Sequence, residues 1–562
     1  MNVYAAMNTA KWALLTHQTA IEVTGQNIAN VNNPDYNKQE VRLESAFPVN
    51  FGRMALGTGV QIEGVERRFD KFLFSQRLES NFNLARWEAR NIIMSRLDVV
   101  LNEADGNGIN QMMSQMFQSF YNLSINASGL TERQDVVEKA RLLARNFSAA
   151  ANELKGIRRD IDQKITASIP EINRITTEIA QINKTIHETE VGNVTANDFR
   201  DQREALIMDL SKLVDVSYFE QSNNEVVVMM NNGRPLVVGQ SAFNLSTRVN
   251  PQDPETSSIF WTDASGTQTD ITTEFNSGNI GAWIELRETD LPNILDDLDR
   301  LAASIIKDVN NLHASGLGLD GTAGTDFFTN LTPGGTGDAT NSGSGVLGTG
   351  TLLDPETVGL DHYRITFDGA GNYSVFNKFT NAASGTFSYT SGAALTFFQQ
   401  IGYSISVTGA PAAGDTFDIS ASHDAAVNMT VNPNVVNNLN RIAAGSTTQL
   451  GDGTLARRIA DLQYTRLIGT VPGAATASGL FTFDDFFSSI VGQVGSGAVA
   501  AKNGLTQQES ISTQLLNLRE QASGVSLDEE MVNLVKFQHA YSAAAKMIST
   551  VDELLVTLLN IK

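Results

Sequence analysis

The chain contains no cysteine. Disulfides, thiolate metal sites and cysteine nucleophiles are therefore excluded. It also lacks any apolar run long enough to span a bilayer, which takes about 18 residues or more. Basic residues are scarce: 40 Lys and Arg face 62 Asp and Glu, for a net charge of -22. No basic stripe offsets this excess, and phosphate binding needs clustered cations, so no nucleic acid partner is expected. No membrane partner is expected either. The N-terminus shows no basic segment leading into an apolar one, so it does not read as a Sec-type signal peptide. Aromatics are only 7 % of the sequence. What is abundant is Gly, Ser, Thr and Asn, a composition suited to helices with small-residue seams and to loop-rich β units. At 562 residues the chain is too long for one core, and three or four domains are expected.

The helix-forming sequence lies at both ends. Near the start, Met7, Ala10, Leu14, Ile21, Gly25 and Ile28 recur at steps of three, four and seven, a narrow helical stripe interrupted by Gln18. The segment ends at Asn27-Ile28-Ala29-Asn30-Val31-Asn32-Asn33-Pro34-Asp35-Tyr36, because proline disfavours helix in the residue before it. Near the other end, Ser526 to Glu529 reads as a capping box, with Asp528, Glu529 and Glu530 complementing the helix dipole. The stripe that follows is Leu527, Met531, Leu534, Gln538, Tyr541, Ala545, Ile548, Val551, Leu555 and Leu558, and its step of three at Val551 reads as a heptad slip. Both seams are weak in bulk apolar area and suit order gained on assembly.

Between the ends the strongest periodicity runs from Ala140 through Leu154, Ile161, Ile165, Ile172 and Ile179 to Ile186. It predicts a rod of roughly 70 Å if it stays helical, started by a capping box at Thr131–Gln134 and kinked or broken at Pro170. Helices at 288–313 and 482–522 are its expected bundle partners. Residues 38–68 alternate in the manner of a β excursion, and 216–285 read as a small β domain with Asn231-Asn232-Gly233 as a turn. From Gly316 to about 430 the composition shifts to Gly, Thr, Ser, Asp and Asn with short strands such as Tyr363–Phe367, an outer β unit.

Candidate catalytic motifs do not hold up. Gly316-Leu317-Gly318-Leu319-Asp320-Gly321 matches G-x-G-x-x-G, but a helix precedes it and a loop follows, the reverse of the dinucleotide context. It reads as a loop with Gly316 capping a helix. The histidines His17, His187, His313, His362, His423 and His539 are scattered, and no pair has metal-ligand spacing. Asp320 and Asp326 read as a solvated turn. No catalytic, cofactor or metal residue is nominated, and no enzyme is expected.

The Asn27-Ile28-Ala29-Asn30 element with Pro34 and Tyr36 resembles the N-terminal motif of the axial proteins of the bacterial flagellum. That motif usually ends Thr-Pro-Gly-Tyr, where this chain has Asn33-Pro34-Asp35-Tyr36, so a turn needing positive φ would be strained here. Further stretches resemble the hook-associated protein 1 branch of that family. These are Asp198-Phe199-Arg200-Asp201-Gln202-Arg203, Leu298–Ala302 with Val309–Gly316, Gly414-Asp415-Thr416-Phe417, Ser523–Met531 and Tyr541–Ile548. The resemblance implies export through the flagellar type III channel, which the absence of disulfides suits. It also implies a ring of identical subunits at the hook–filament junction, contacts with hook protein and with a second junction protein, and a FlgN-type export chaperone on the C-terminal helix. Another axial component, a hook or rod protein, is the alternative, and an adhesin role for the outer unit is a second.

The expected architecture is mainly α with β-rich insertions, an α+β multidomain chain. Residues 1–69 pair with 524–562 as terminal coiled-coil helices. Residues 70–215 with 286–315 and 440–523 form a helical bundle, and 216–285 and 316–439 form two outer β domains. The expected assembly interface comprises Leu14, Ile21, Asn27, Ile28, Asn30 and Tyr36 at the front. At the back it comprises Leu527, Met531, Leu534, Tyr541, Ile548, Leu555 and Leu558.

Overall fold

A computed structural model describes residues 3–51, 54–101, 108–190, 195–251, 253–338, 340–447, 449, 451–470 and 479–560. The chain begins with helix α1 (Val3–Ala29) and an antiparallel hairpin of strands Gln39–Ser45 and Val60–Arg67. Helices α2 (Lys71–Leu101), α3 (Ile109–Ile125), α4 (Leu130–Thr189) and α5 (Asn197–Leu213) follow. After strands between Val216 and Asp270 come α6 (Gly278–Glu285), one π turn, and α7 (Leu291–Ala314). The rest comprises short α8 (Thr396–Gln400), α9 (Ala425–Asn428) and α10 (Pro433–Asn437), then α11 (Thr454–Asp461), α12 (Phe483–Ser523) and α13 (Leu527–Leu559).

The isoleucine stripe forms the single helix α4. Ile157, Ile161, Ile165, Ile172, Ile179 and Ile186 are buried along it, and each full burial stabilises by about 1.5–3 kcal/mol. Two local expectations fail. The Thr131–Gln134 box does not form, because the helix starts two residues earlier, at Leu130, with Gly129 as an uncapped N-cap. Pro170 does not end the helix: it sits on the exposed face, and Thr166, whose carbonyl loses the N–H that proline lacks, is a half-exposed residue.

The partners of α4 agree with expectation in part: α7 packs on it, whereas α12 packs chiefly on α2. The first half of α4 packs on α3 and its second half on α5 and on the strands after α5. Asn173 exchanges two hydrogen bonds with Leu245, and Asn183 donates to the carbonyls of Val226 and Gly239. Val226, Val228, Leu236, Val237, Leu245 and Ile259 belong to the same continuous core as the helices. The 216–285 segment therefore covers the second half of α4 and has no separate core. The turn there forms as read, with Gly233 at φ +86 between the strands Val226–Met230 and Pro235–Val238. Helix α12 lies antiparallel along α2, as the contacts of Ser80 with Gln508 and of Met94 with Gly497 require. Gly504 permits this approach, since a Cβ there would come within 2.5 Å of the Trp87 ring.

A second core lies in the outer unit, around Tyr363, Ile365, Phe367, Tyr373, Phe398, Phe417 and Ile419. Its sheet has five antiparallel strands in the order Gly334–Gly337, Thr416–Ser420, Tyr363–Phe367, Asn372–Asn377 and Ala382–Ser388. This unit is narrower than the expected 316–439. Phe327, Phe328, Leu331, Met429, Val431 and Val435 at its two ends belong to the first core.

Candidate assembly site at the joined chain ends

Helices α1 and α13 pack side by side. Asn27 bonds Glu530 while His17 lies against Phe537, so the two run antiparallel. With Asn533, Ala540 and Ala545 half-buried beside it, a buried to half-buried row of α13 runs through Glu530, Leu534, Phe537, Tyr541, Ala544, Ile548, Val551 and Leu555. Their steps of four and three are an unbroken heptad. The slip read at Val551 arose from placing Met531, Gln538 and Ala545 on the stripe in place of Glu530, Phe537 and Ala544. On α1 the buried row is Ala10, Thr16, Ala20, Val23, Thr24 and Asn27, about a residue off the predicted stripe. Small and hydroxyl side chains let the two backbones approach, which a search for large apolar residues passes over.

The α1–α13 pair meets the body in a buried polar cluster. The Tyr36 hydroxyl donates to Asn27 Oδ1 at 2.8 Å, and the Gln39 N–H donates to the same atom at 3.0 Å. Asn27 Nδ2 donates to the Gln39 carbonyl at 2.9 Å and to Glu530 Oε2 at 3.0 Å. Lys38 pairs with Glu530 at 3.0 Å and Glu529 at 3.1 Å. Glu529 thus leaves the capping box half-formed, with only the Ser526 side chain accepting from the Glu529 N–H. Arg519 donates to the Tyr36 carbonyl, and the Lys38 N–H donates to the Ser523 carbonyl at 2.9 Å. Asp35 is not among the described residues with positive φ, so the Pro-Asp turn is free of that strain.

Helix α5 clamps this cluster from the body side, and its Asp-x-Arg-Asp-x-Arg stretch faces two ways. Asp198 accepts from Gln26 and Gln39, and Asp201 accepts from Asn37 at 2.6 Å and from Arg67 at 2.7 Å. Glu204 also binds Arg67. Arg200 instead pairs with Glu190 and Glu220, and Arg203 donates to Asn183 and to the Asn224 carbonyl. The acids hold the terminal segment and the arginines hold the body. Burial, then the charges of Asp198, Asp201 and Glu530, push the Tyr36 hydroxyl well above its ordinary value. Burial opposes the charge of Lys38, but hydrogen bonds and charge from Glu530 and Glu529 outweigh it and raise the ammonium.

The nominated interface residues separate into three groups. Asn27 and Tyr36 are buried within the chain (1 % and 6 % exposed), which corrects their assignment to a surface between subunits. Leu14, Ile21, Ile28, Asn30, Leu534, Tyr541, Ile548 and Leu555 are half-buried. Leu527 and Met531 are open to solvent. The side chain of Leu558 lies outside the described residues. Around them Val532, Val535, Leu554 and Val556 of α13, with Met7, Trp12 and Leu15 of α1, are also exposed apolar groups. Lys38, Arg67, Arg519 and Glu530 were not singled out from sequence; acids in a first helical turn read as dipole partners, and nothing local marks one of them as buried. Among the described residues no group of three or more His, Asp or Glu is placed to hold a metal ion, and no helix is long and apolar enough to cross a membrane.

Comparison with known proteins places the chain beside flagellar components. The flagellar hook-associated protein FlgK helical domain matches residues 94–328, and the flagellar basal body rod FlgEFG protein C-terminal domain matches residues 519–561. Flagellar hook-associated protein 1 of Escherichia coli is 28 % identical over 562 residues, covering 99 % of each chain. The protein of the same name from Bacillus subtilis is 25 % identical over 590 residues, covering 100 % of this chain and 98 % of its own. The fold matches the flagellar hook junction protein FlgK from Burkholderia pseudomallei with a TM-score of 0.68 and 18 % identity, covering 81 % of this chain and 100 % of that one.

Proposed function

We propose that this chain, which belongs to the flagellar hook-associated protein 1 family, is a structural subunit of the bacterial flagellum that joins hook to filament. The observation that carries the reading is the terminal pair. The two chain ends, hundreds of residues apart in sequence, close on each other through a buried cluster. They keep Leu527, Met531, Val532, Val535 and Trp12 uncovered. Exposed apolar groups on a narrow helical pair mark a surface for further protein. Its occupants are copies of this chain in a junction ring, hook protein on one side and the second hook–filament junction protein on the other. Such head-to-tail contacts are heterologous and propagate helically.

The subunit performs no catalysis and takes no cofactor. It leaves the cell through the flagellar type III channel and works outside it, and a FlgN-type chaperone covers α13 before export. The domain division that fits this role has the terminal pair as the axial element. The helical body surrounds it, and the β units are carried outward.

The test is deletion of the gene in the parent organism, followed by electron microscopy and assay of flagellin in the medium. Bare hooks with flagellin lost to the medium are the expected result. Intact filaments would remove the junction role, and absent hooks would point to a rod or hook component.

A further inference from the structure

The two hydrophobic cores barely touch: Leu360 alone, among the described residues, packs against both. What fills the contact instead is a polar row on α7. Asp296, Arg300, Lys307 and Asn311 follow one another at steps of four, seven and four, one face of a helix. Each meets the outer unit, in order. Asn311 donates to the Pro355 carbonyl at 3.4 Å, and Lys307 Nζ donates to the Val358 carbonyl at 2.8 Å. Arg300 pairs with Asp361 at 2.5 Å and lies 3.6 Å over the Phe379 ring. Asp296 pairs with His362 and with Lys378, both at 3.3 Å. Residues 355–362 thus lie antiparallel along α7 as a strap.

We infer that residues 332–424 form a module that docks on α7 through this strap and swings away from the body as a unit when the polar row is broken. The hinge is fixed by the neck of the insertion. There the Thr329 N–H donates to the Thr430 carbonyl and the Asn432 N–H to the Phe327 carbonyl, both at 2.8 Å, with Phe327, Phe328, Met429 and Val431 buried beneath. The module keeps its own aromatic core whether docked or not. An interface of ion pairs with little shared apolar area leaves relative domain motion open. Asp296 and Lys378 are part-exposed, so their pairing is weakened by salt, whereas the buried Arg300–Asp361 pair is screened less.

The absence of cysteine allows a clean distance measurement on the full chain. Spin labels are placed at Gln163→Cys on α4 and Ser384→Cys on the strand Ala382–Ser388, both exposed positions. The docked chain at low salt gives one distance population. Asp296→Ala with Arg300→Ala adds a longer-distance population, raised about tenfold from a minor state, while amide protection of the strands Tyr363–Phe367 and Thr416–Ser420 is retained. The unsubstituted chain in about 1 M NaCl, where the screening length is about 3 Å, shifts in the same direction. A distance distribution unchanged in both overturns the inference. So does loss of strand protection in the double variant together with an unchanged distribution at high salt.

Discussion

At the residue scale, the buried polar groups carry more consequence than the apolar ones. Asn27 uses both ends of its amide, accepting from Tyr36 and Gln39 and donating to Gln39 and Glu530. Asn27→Ala leaves the buried Tyr36 hydroxyl and the Gln39 N–H without their acceptor and removes one of the two partners of Glu530, at a cost of about 1–3 kcal/mol. Protection of the Gln39 amide, read by hydrogen exchange, falls by about tenfold to a hundredfold. A second case is His313. Burial, helped by Arg133, pushes its imidazole down to about 4 against the opposing Thr325 hydrogen bond. The contacts require a neutral ring, because Nε2 accepts from the Ala443 N–H at 2.9 Å while Nδ1 faces the Thr325 carbonyl. The folded-state value lies below the unfolded one, so the stabilisation is complete above about pH 6.5 and is lost as pH falls towards 4. It amounts to about 3 kcal/mol. Urea midpoints of the body decline across that window in the native chain and decline less in His313→Gln. Parallel pH curves for the two would refute the assignment.

At the element scale, α13 has two apolar faces with different tasks. Leu534 is half-buried in the heptad against α1, whereas Met531 is about half exposed. Both stood on one predicted stripe, and the structure separates them. Met531→Asp preserves the pairing of α1 with α13 and blocks assembly. Leu534→Asp also loosens the pair, because its carboxylate is forced into the seam. Circular dichroism of the monomer together with filament counts on the corresponding strains distinguishes the two. Equal loss of helix in both variants would mean that Met531 belongs to the internal seam. The long helix was legible in sequence because its isoleucines are large and regular. The α1–α13 seam was legible only in outline. Apart from Val23 and Val551, its buried positions are Ala, Thr, Asn and Glu, residues that an apolar pattern seldom selects.

At the scale of the whole molecule, sequence pattern separated helical from β regions but not cores from surfaces. The strands after α5 look like an independent unit, since their alternation says only that one face is covered, not by what. The residues that cover it are the distal isoleucines of α4. The clamp of α5 was visible as a motif, but its two-faced role depends on pairing Asp201 with Asn37 and Arg67, more than 130 residues away. Weak apolar seams that gain order on assembly imply fast amide exchange in residues 1–40 and 527–562 of the monomer. The structure argues for a gradient instead. Polar bonds concentrate where α1 ends and α13 begins, around Asn27, Tyr36, Lys38 and Glu530. Towards the other end of the pair, among the described residues, α13 keeps only Ala544 and Val551 buried, while Met7, Leu554 and Val556 are open. Opening free energy follows local burial and bonding. Exchange in the isolated subunit is therefore expected to be slowest near residues 23–39 and 519–534, and to quicken steadily towards Met7 on α1 and Val556 on α13. On assembly the fast end gains the most protection, because there the pair has the fewest bonds and buried groups of its own. Uniform protection along both helices in the monomer would show that the pair is complete by itself and has no need of neighbours to order it.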